Sequence, residues 1–317
     1  MDDDQTAAVV PPLTPARAGG RGAAAPLRLE ERSNSDEVPL RPYTQRDGDE
    51  RPALLTRARI RTYPDGDFEV TVTRRPSVTP KRKGSYQAAT VPKCRERTAI
   101  QLVEDYVRSS TRARATVRRL IQAGLLDHML TLTYRENRTD ARECHADLTR
   151  FLRLLRCALP DDFQYVAVFE RQKRGAGHWH LAVHGWQNVK LLRALWRKVV
   201  GDGNIDVRSW AGKGRAGECT AKLASYLSKY IGKEMDDRDD GGHRYRRSHN
   251  ITIDERIVEY DDPDPERVAK AVSAEFPGRE IRCIVRGEAA GECFLWACSW
   301  GGIPGHDGPI RSTSVPT

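Results

Sequence analysis

No stretch of this 317-residue chain is apolar for long enough to span a bilayer. Its first residues, Met1-Asp2-Asp3-Asp4, are the opposite of a basic signal-peptide start. Cysteines number seven, odd and irregularly spaced, which excludes a disulfide framework and fits a reducing, cytoplasmic setting. Cys283, Cys293, Cys298 and His306 lack the tight two-residue spacing of a zinc site. There is also no Gly-rich loop ending in Lys-Ser or Lys-Thr, so a phosphate-cradling helicase domain is not expected. Apolar residues make up only 38%, low for one large core at this length, and a tail beside one or two domains is the expectation.

What is abundant is positive charge, unevenly spread. The net charge is +9, but residues 51–250 carry 40 basic against 22 acidic side chains, a net of +18, between two acidic ends. A basic middle suits a polyanionic partner, as it also suits a merely solvated surface.

Residues 1–50 are rich in Ala, Pro, Gly, Arg and Asp without apolar periodicity, and read as disordered. Tyr63-Pro64-Asp65-Gly66-Asp67 before alternating Phe68, Val70 and Val72 predicts a short hairpin over 61–73. A basic, irregular linker follows to residue 97. Ile100, Val103, Tyr106 and Val107 then fall on one helical face, and a second helical segment carries Val117, Leu120 and Ile121 up to a stop at Gly124. Arg112, Arg114, Arg118 and Arg119 are either its solvated side or a grip for phosphates.

From residue 130 the pattern is strand (130–133), helix (141–155), strand (163–172), strand (178–184), helix (189–199) and strand (204–207). This β-α-β-β-α-β order predicts an α+β, ferredoxin-like split βαβ core. The expected antiparallel sheet has helices on one face and leaves the other open for a ligand. Residues 251–317 predict a small α+β extension with strands near 281–285 and 293–300 and a helix near 266–276. The resulting domain plan is 1–97 mostly tail and linker, 98–250 the main domain, and 251–317 the extension.

Two stretches in the main domain carry chemistry. In Gly177-His178-Trp179-His180-Leu181-Ala182-Val183, strand alternation puts His178 and His180 on one face and Trp179, Leu181 and Val183 on the other. Two imidazoles on one face, anchored from behind by an apolar row, form a candidate metal-ligand pair. The second stretch is a helix expected over 221–234. Leu223, Leu227 and Ile231 give it one apolar stripe that can dock on the sheet, while Tyr226 and Tyr230 stand one turn apart on a different face. Each tyrosine is followed three residues later by a lysine, Lys229 and Lys233. Trp186, Trp196 and Trp210 either stack unpaired bases or pack in the core.

Taken together, Leu130-Thr131-Leu132-Thr133, Gly177-His178-Trp179-His180 and Tyr226-Leu227-Ser228-Lys229-Tyr230-Ile231-Gly232-Lys233 resemble the three motifs of the HUH endonucleases. The similarity is closest to rolling-circle replication initiators of single-stranded DNA phages and related plasmids, in their two-tyrosine form, and covers roughly 98–250. The first motif departs in having Met129 where an aromatic residue often stands. The resemblance implies His178 and His180 as ligands of one divalent metal, with Glu170, or Gln172 on the same face, as the third. Such a donor set suits Mg²⁺ or Mn²⁺. It implies Tyr226 or Tyr230 as the nucleophile that forms a 5′-phosphotyrosine and frees a 3′-OH. Lys229 and Lys233 would lower the tyrosine pKa or contact phosphate. The implied partners are single-stranded or hairpin origin DNA, a host helicase and a host DNA polymerase. A relaxase or single-strand transposase with the same active site, and a non-catalytic DNA-binding regulator, are the alternatives.

Overall fold

The computed structural model describes residues 40, 42–44, 54–76, 98–159, 162–172, 174–212, 215–231, 244–289 and 292–300. Of the tail expected over 1–50 only four residues fall in this set, and most of the basic linker and Lys233 lie outside it. The chain begins with β1 (Leu54–Thr62), β2 (Phe68–Pro76), α1 (Ala99–Ala123), β3 (His128–Tyr134) and α2 (Ala141–Ala158). It continues with β4 (Tyr165–Arg171), β5 (Gly177–Val183), α3 (Val189–Val200), β6 (Gly203–Ser209) and α4 (Ala216–Ser228). Last come β7 (Arg246–Arg247), β8 (Asp254–Tyr260), α5 (Pro265–Ser273), β9 (Cys283–Ala289) and β10 (Glu292–Cys298). Among the described residues this is a mixed α+β protein with two antiparallel five-stranded sheets and five helices.

The sheet of the main domain runs β6-β3-β5-β4-β7. Short polar residues start its two connecting helices. Asp140 accepts from the Arg142 and Glu143 amides at 2.7 and 3.3 Å, and Asn188 accepts from the Leu191 amide at 3.1 Å. Leu130, Leu132, Trp179 and Leu181 face α2 and α3, where they meet Leu148, Phe151, Leu192 and Trp196 in one buried cluster.

The opposite face is not open along its whole width, as the sequence led us to expect. Val166, Val168, Ala182 and Met129 lie under α1 and α4, packed against Val117, Leu120, Ile121, Leu223, Ala224 and Leu227. Two helices, each with an apolar stripe, cannot leave those stripes in water. At about 1.5–3 kcal/mol per fully buried aliphatic side chain, covering this half of the sheet is the favourable arrangement. The polar rows that follow along the strands carry Thr131, Thr133, His178, His180 and Glu170.

Helix α1 is also one continuous 25-residue helix rather than two segments. Its Ser109 and Thr111 hydroxyls, which look like a break in the sequence, donate back to the carbonyls of Tyr106 and Val107 at 3.1 and 3.0 Å. Its early apolar residues Ile100, Val103 and Val107 are exposed. Helix α4 begins at Ala216 and ends at Ser228, five residues earlier at its start than the expected 221 and ahead of Tyr230 at its end.

The second sheet runs β8-β1-β2-β10-β9. The hairpin expected over 61–73 is longer, 54–76, and is turned at Gly66 with φ 82°. It pairs on one side with β8 and on the other with β10, so residues 54–76 and 254–298 build one sheet with α5 against it. That sheet also braces the main domain. Glu69 on β2, fully buried, receives Arg61, Arg118 and Arg119, each at 2.8 Å. Arg118 and Arg119 are therefore occupied in an internal ion cluster instead of gripping phosphate. Burial alone would raise the Glu69 pKa, but Arg118, Arg119 and Arg61 outweigh it and bring the carboxyl down to about 2.

Candidate active site

β5 occupies the middle of its sheet, between β3 and β4. Thr131 stands opposite His180 and Thr133 opposite His178 across β3, while Glu170 stands opposite His178 across β4. All five side chains share the face that carries α4. On the reverse face Trp179 is 1% exposed, its indole N–H donates to the Cys144 carbonyl at 3.1 Å, and Phe169 packs on it at 5.0 Å. Gly177 opens the strand because a Cβ there would lie 2.8 Å from Cys144 Sγ and 2.9 Å from the Phe169 ring. This backing fixes the orientation of the two histidines, as expected.

His180 is held at both nitrogens. Nε2 lies 2.8 Å from Glu170 Oε2 and Nδ1 lies 3.2 Å from Thr131 Oγ1. An ionised carboxylate only accepts, so this arrangement has Nε2–H donating to Glu170 and Nδ1 accepting from the threonine hydroxyl. His178 is buried, with Gln172 Nε2 at 3.4 Å from its Nδ1. Burial first, and the neighbouring His180 second, hold the His178 imidazole below its ordinary pKa. It is therefore neutral at pH 7, the form that offers a lone pair. The two rings are 6.3 Å apart between centroids. Among the described residues, no three His, Cys, Asp or Glu side chains are already gathered at metal-binding positions. His178, His180 and Glu170 are nevertheless brought together on two adjacent strands.

The tyrosines arrive from α4. Leu223, Leu227 and Ile231 are all buried against the sheet, as the stripe predicted. Tyr226 is in the last turn of the helix. Tyr230 lies past its end, in a tightened turn where the Tyr230 amide donates to the Leu227 carbonyl at 3.0 Å. Its ring stacks on His180, centroids 4.4 Å apart and planes 15° off parallel. Tyr226 meets Tyr230 edge-on at 5.5 Å. Burial, then a hydrogen bond with Tyr226, then the Glu170 charge, raise the Tyr230 phenol above its ordinary pKa.

Positive charge gathers at Tyr226. Lys229 Nζ sits 5.5 Å from its ring centroid, and Arg208 Cζ sits 5.6 Å from it and 4.8 Å from the Trp210 ring. Lys229 thus reaches the ring face, while Lys233 is outside the described residues. Trp196 and Trp210 are buried, and Trp186 is exposed. Two contributors escaped the sequence reading. Thr131 was visible only as part of a Thr-alternating strand. Arg208, on the exposed edge strand β6, left no signal, because nothing local links it to Tyr226.

The site thus defines an α+β protein with a His-His-Glu cluster on a sheet face and two tyrosines leaning over it. Residues 127–235 match the family model of the replication-associated proteins of the ORF2 kind, a span that contains every one of the candidate site residues. This match supports a replication initiator family. No curated protein and no solved structure matches the chain. Among the described residues no helix is long and apolar enough to cross a membrane.

Proposed function

We propose that this chain is a replication initiator that nicks and rejoins single-stranded DNA through a tyrosine, in the manner of the two-tyrosine HUH endonucleases. The observation that carries the reading is the Tyr230 ring stacked on His180 while His180 is held by Glu170. The strand order β6-β3-β5-β4, with α2 and α3 as crossovers, agrees with a ferredoxin-like core. The match over 127–235 supports it from the side of sequence.

Two imidazoles and a carboxylate on one face are a suitable donor set for a divalent cation. His178, His180 and Glu170 would hold Mg²⁺ or Mn²⁺, which when bound supplies Lewis acidity toward a phosphate oxygen. The chain's own residues do the rest. A tyrosine oxygen attacks the scissile phosphorus, the P–O3′ bond breaks, the 3′ oxygen leaves as a hydroxyl after taking a proton, and a 5′-phosphotyrosine remains. Lys229 and Arg208 lie where they can offset phosphate charge near Tyr226. With two tyrosines adjacent, the second can cut a regenerated junction while the first holds the strand. The freed 3′-OH primes a host polymerase in the cytoplasm, and strand separation falls to a host helicase.

The test uses the replicon's single-stranded circle, Mn²⁺, the parent chain, Tyr226→Phe with Tyr230→Phe, and His178→Ala with His180→Ala. A denaturing gel should show protein attached to the 5′ end for the parent and for neither double mutant, and EDTA should abolish it. Salt-sensitive binding without any covalent product would instead establish a DNA-binding regulator.

A further inference from the structure

Tyr230 is the one candidate nucleophile that regular secondary structure does not hold. Helix α4 ends at Ser228, and the following turn keeps only i→i−3 bonds, with the Ile231 amide reaching the Ser228 carbonyl at 3.3 Å. The carbonyls at a helix end lack intrahelical partners and need them from elsewhere. Here one is supplied by Arg244. Its Nη1 donates to the Ile231 carbonyl at 3.0 Å, and its Nη2 donates to Ser109 Oγ at 2.8 Å and to the Tyr106 carbonyl at 3.3 Å. The guanidinium also lies over the Tyr106 ring, 4.5 Å from its centroid. One planar fork thus ties the turn bearing Tyr230 to the middle of α1.

We propose that Arg244 is a positioning residue for Tyr230, a buckle that keeps its ring over His180. This rests on the nickase reading above. α1 makes a suitable anchor because its Val117, Leu120 and Ile121 are wholly buried against the same sheet that carries His180. The chain of contact runs from sheet to α1, to Arg244, to the Ile231 carbonyl and so to Tyr230. Tyr226, inside α4, does not depend on it. Lysine at 244 would keep the charge but has no fork, so it cannot span the two elements at once.

The experiment places Arg244→Lys and Ser109→Ala in three full-length backgrounds: parent, Tyr226→Phe and Tyr230→Phe. Covalent product on the replicon's single-stranded circle with Mn²⁺ is measured beside hydrogen exchange of the Tyr230 and Ile231 amides. In Tyr226→Phe, where only Tyr230 can react, Arg244→Lys should lower the rate at least about tenfold, since a displacement on the order of 1 Å costs as much as a hundredfold. In Tyr230→Phe the same change should stay within about twofold. Exchange at Tyr230 and Ile231 should rise about tenfold while that of Leu223 and Leu227 holds. Ser109→Ala should move both readouts in the same direction and less. Equal losses in both tyrosine backgrounds, unchanged exchange, or no product from Tyr226→Phe when the parent reacts, would overturn the proposal. If the parent itself yields no covalent product, the nickase reading has failed, and exchange alone decides whether the buckle exists.

Discussion

Glu170 and His180 are joined at 2.8 Å across adjacent strands, and Tyr230 lies flat on the histidine they leave between them. The carboxylate thus serves two neighbours. It fixes the imidazole, and its charge contributes to the raised pKa of the phenol. Bringing a divalent cation to this cluster would turn the same carboxylate into a ligand.

Glu170→Gln should accordingly lower Mn²⁺ affinity by more than about tenfold, because changes behind the ligands alone cost that much at metal sites. Calorimetric titration of the purified chain with Mn²⁺ reads this directly. Undiminished affinity in Glu170→Gln, with a loss in Gln172→Ala, would move the third donor to Gln172.

Glu69 makes stability depend on acid. Its carboxyl titrates near 2 in the folded chain against an ordinary 4.5, so the ion cluster contributes fully above about pH 4.5 and is lost as pH falls toward 2. Urea unfolding across that window should show a steep fall in the parent. Glu69→Gln removes the charge that neutralises buried Arg61 and Arg118, and should cost about 3–5 kcal/mol at pH 7. It should also flatten the acid limb of the profile, and a limb of unchanged slope would count against Glu69 as its source.

Much of the main domain was legible because its signals are local. Asp140 and Asn188 announce helix starts, Leu-Thr alternation marks β3, and the two-residue period of β5 assigns His178 and His180 to one face and Trp179 to the other. The Leu223-Leu227-Ile231 stripe correctly announced a docked helix, although its boundary was not readable. The α-helical pattern continues through Tyr230 while the backbone tightens after Ser228. What stayed hidden depends on distant partners. Thr56 pairs with Tyr260 and Thr73 with Phe294, about two hundred residues apart, and no local pattern encodes such register. For the same reason Arg118 and Arg119 read as free cations until Glu69 stood beside them. The covering of half the sheet by α1 and α4 likewise follows from tertiary burial alone.

Gly217 tests the brace between the second sheet and the tyrosine helix. A Cβ there would overlap Asp67 Oδ2, and Asp67 is fixed by Arg215 at 2.8 Å, Ser299 at 2.8 Å and Arg279 at 3.2 Å. The carboxylate cannot retreat without abandoning these partners. Gly217→Ala should therefore destabilise the chain by about 1–3 kcal/mol, the usual cost of overpacking. Thermal unfolding measures it, and an unchanged midpoint would show that α4 is free to shift away from the hairpin.

Arg208 should prove a DNA contact. It is exposed on the edge strand β6, directly opposite Met129 in register, and its guanidinium spans the Trp210 and Tyr226 rings. Held against two aromatic faces, it offers its donors to a phosphate passing over Tyr226 without first losing the freedom of a mobile side chain. Removing one phosphate contact to a single strand reduces the slope of log affinity against log salt by about 0.7. Arg208→Gln should therefore weaken binding of a fluorescent single-stranded oligonucleotide and flatten the salt dependence by about that amount, as anisotropy titrations at several salt concentrations can measure. Arg208→Lys keeps the charge and should restore most of the slope while recovering less of the affinity, because lysine lacks the planar stack on Trp210. A slope unaltered in Arg208→Gln would place the passing strand elsewhere and leave Arg208 as a cover for Trp210.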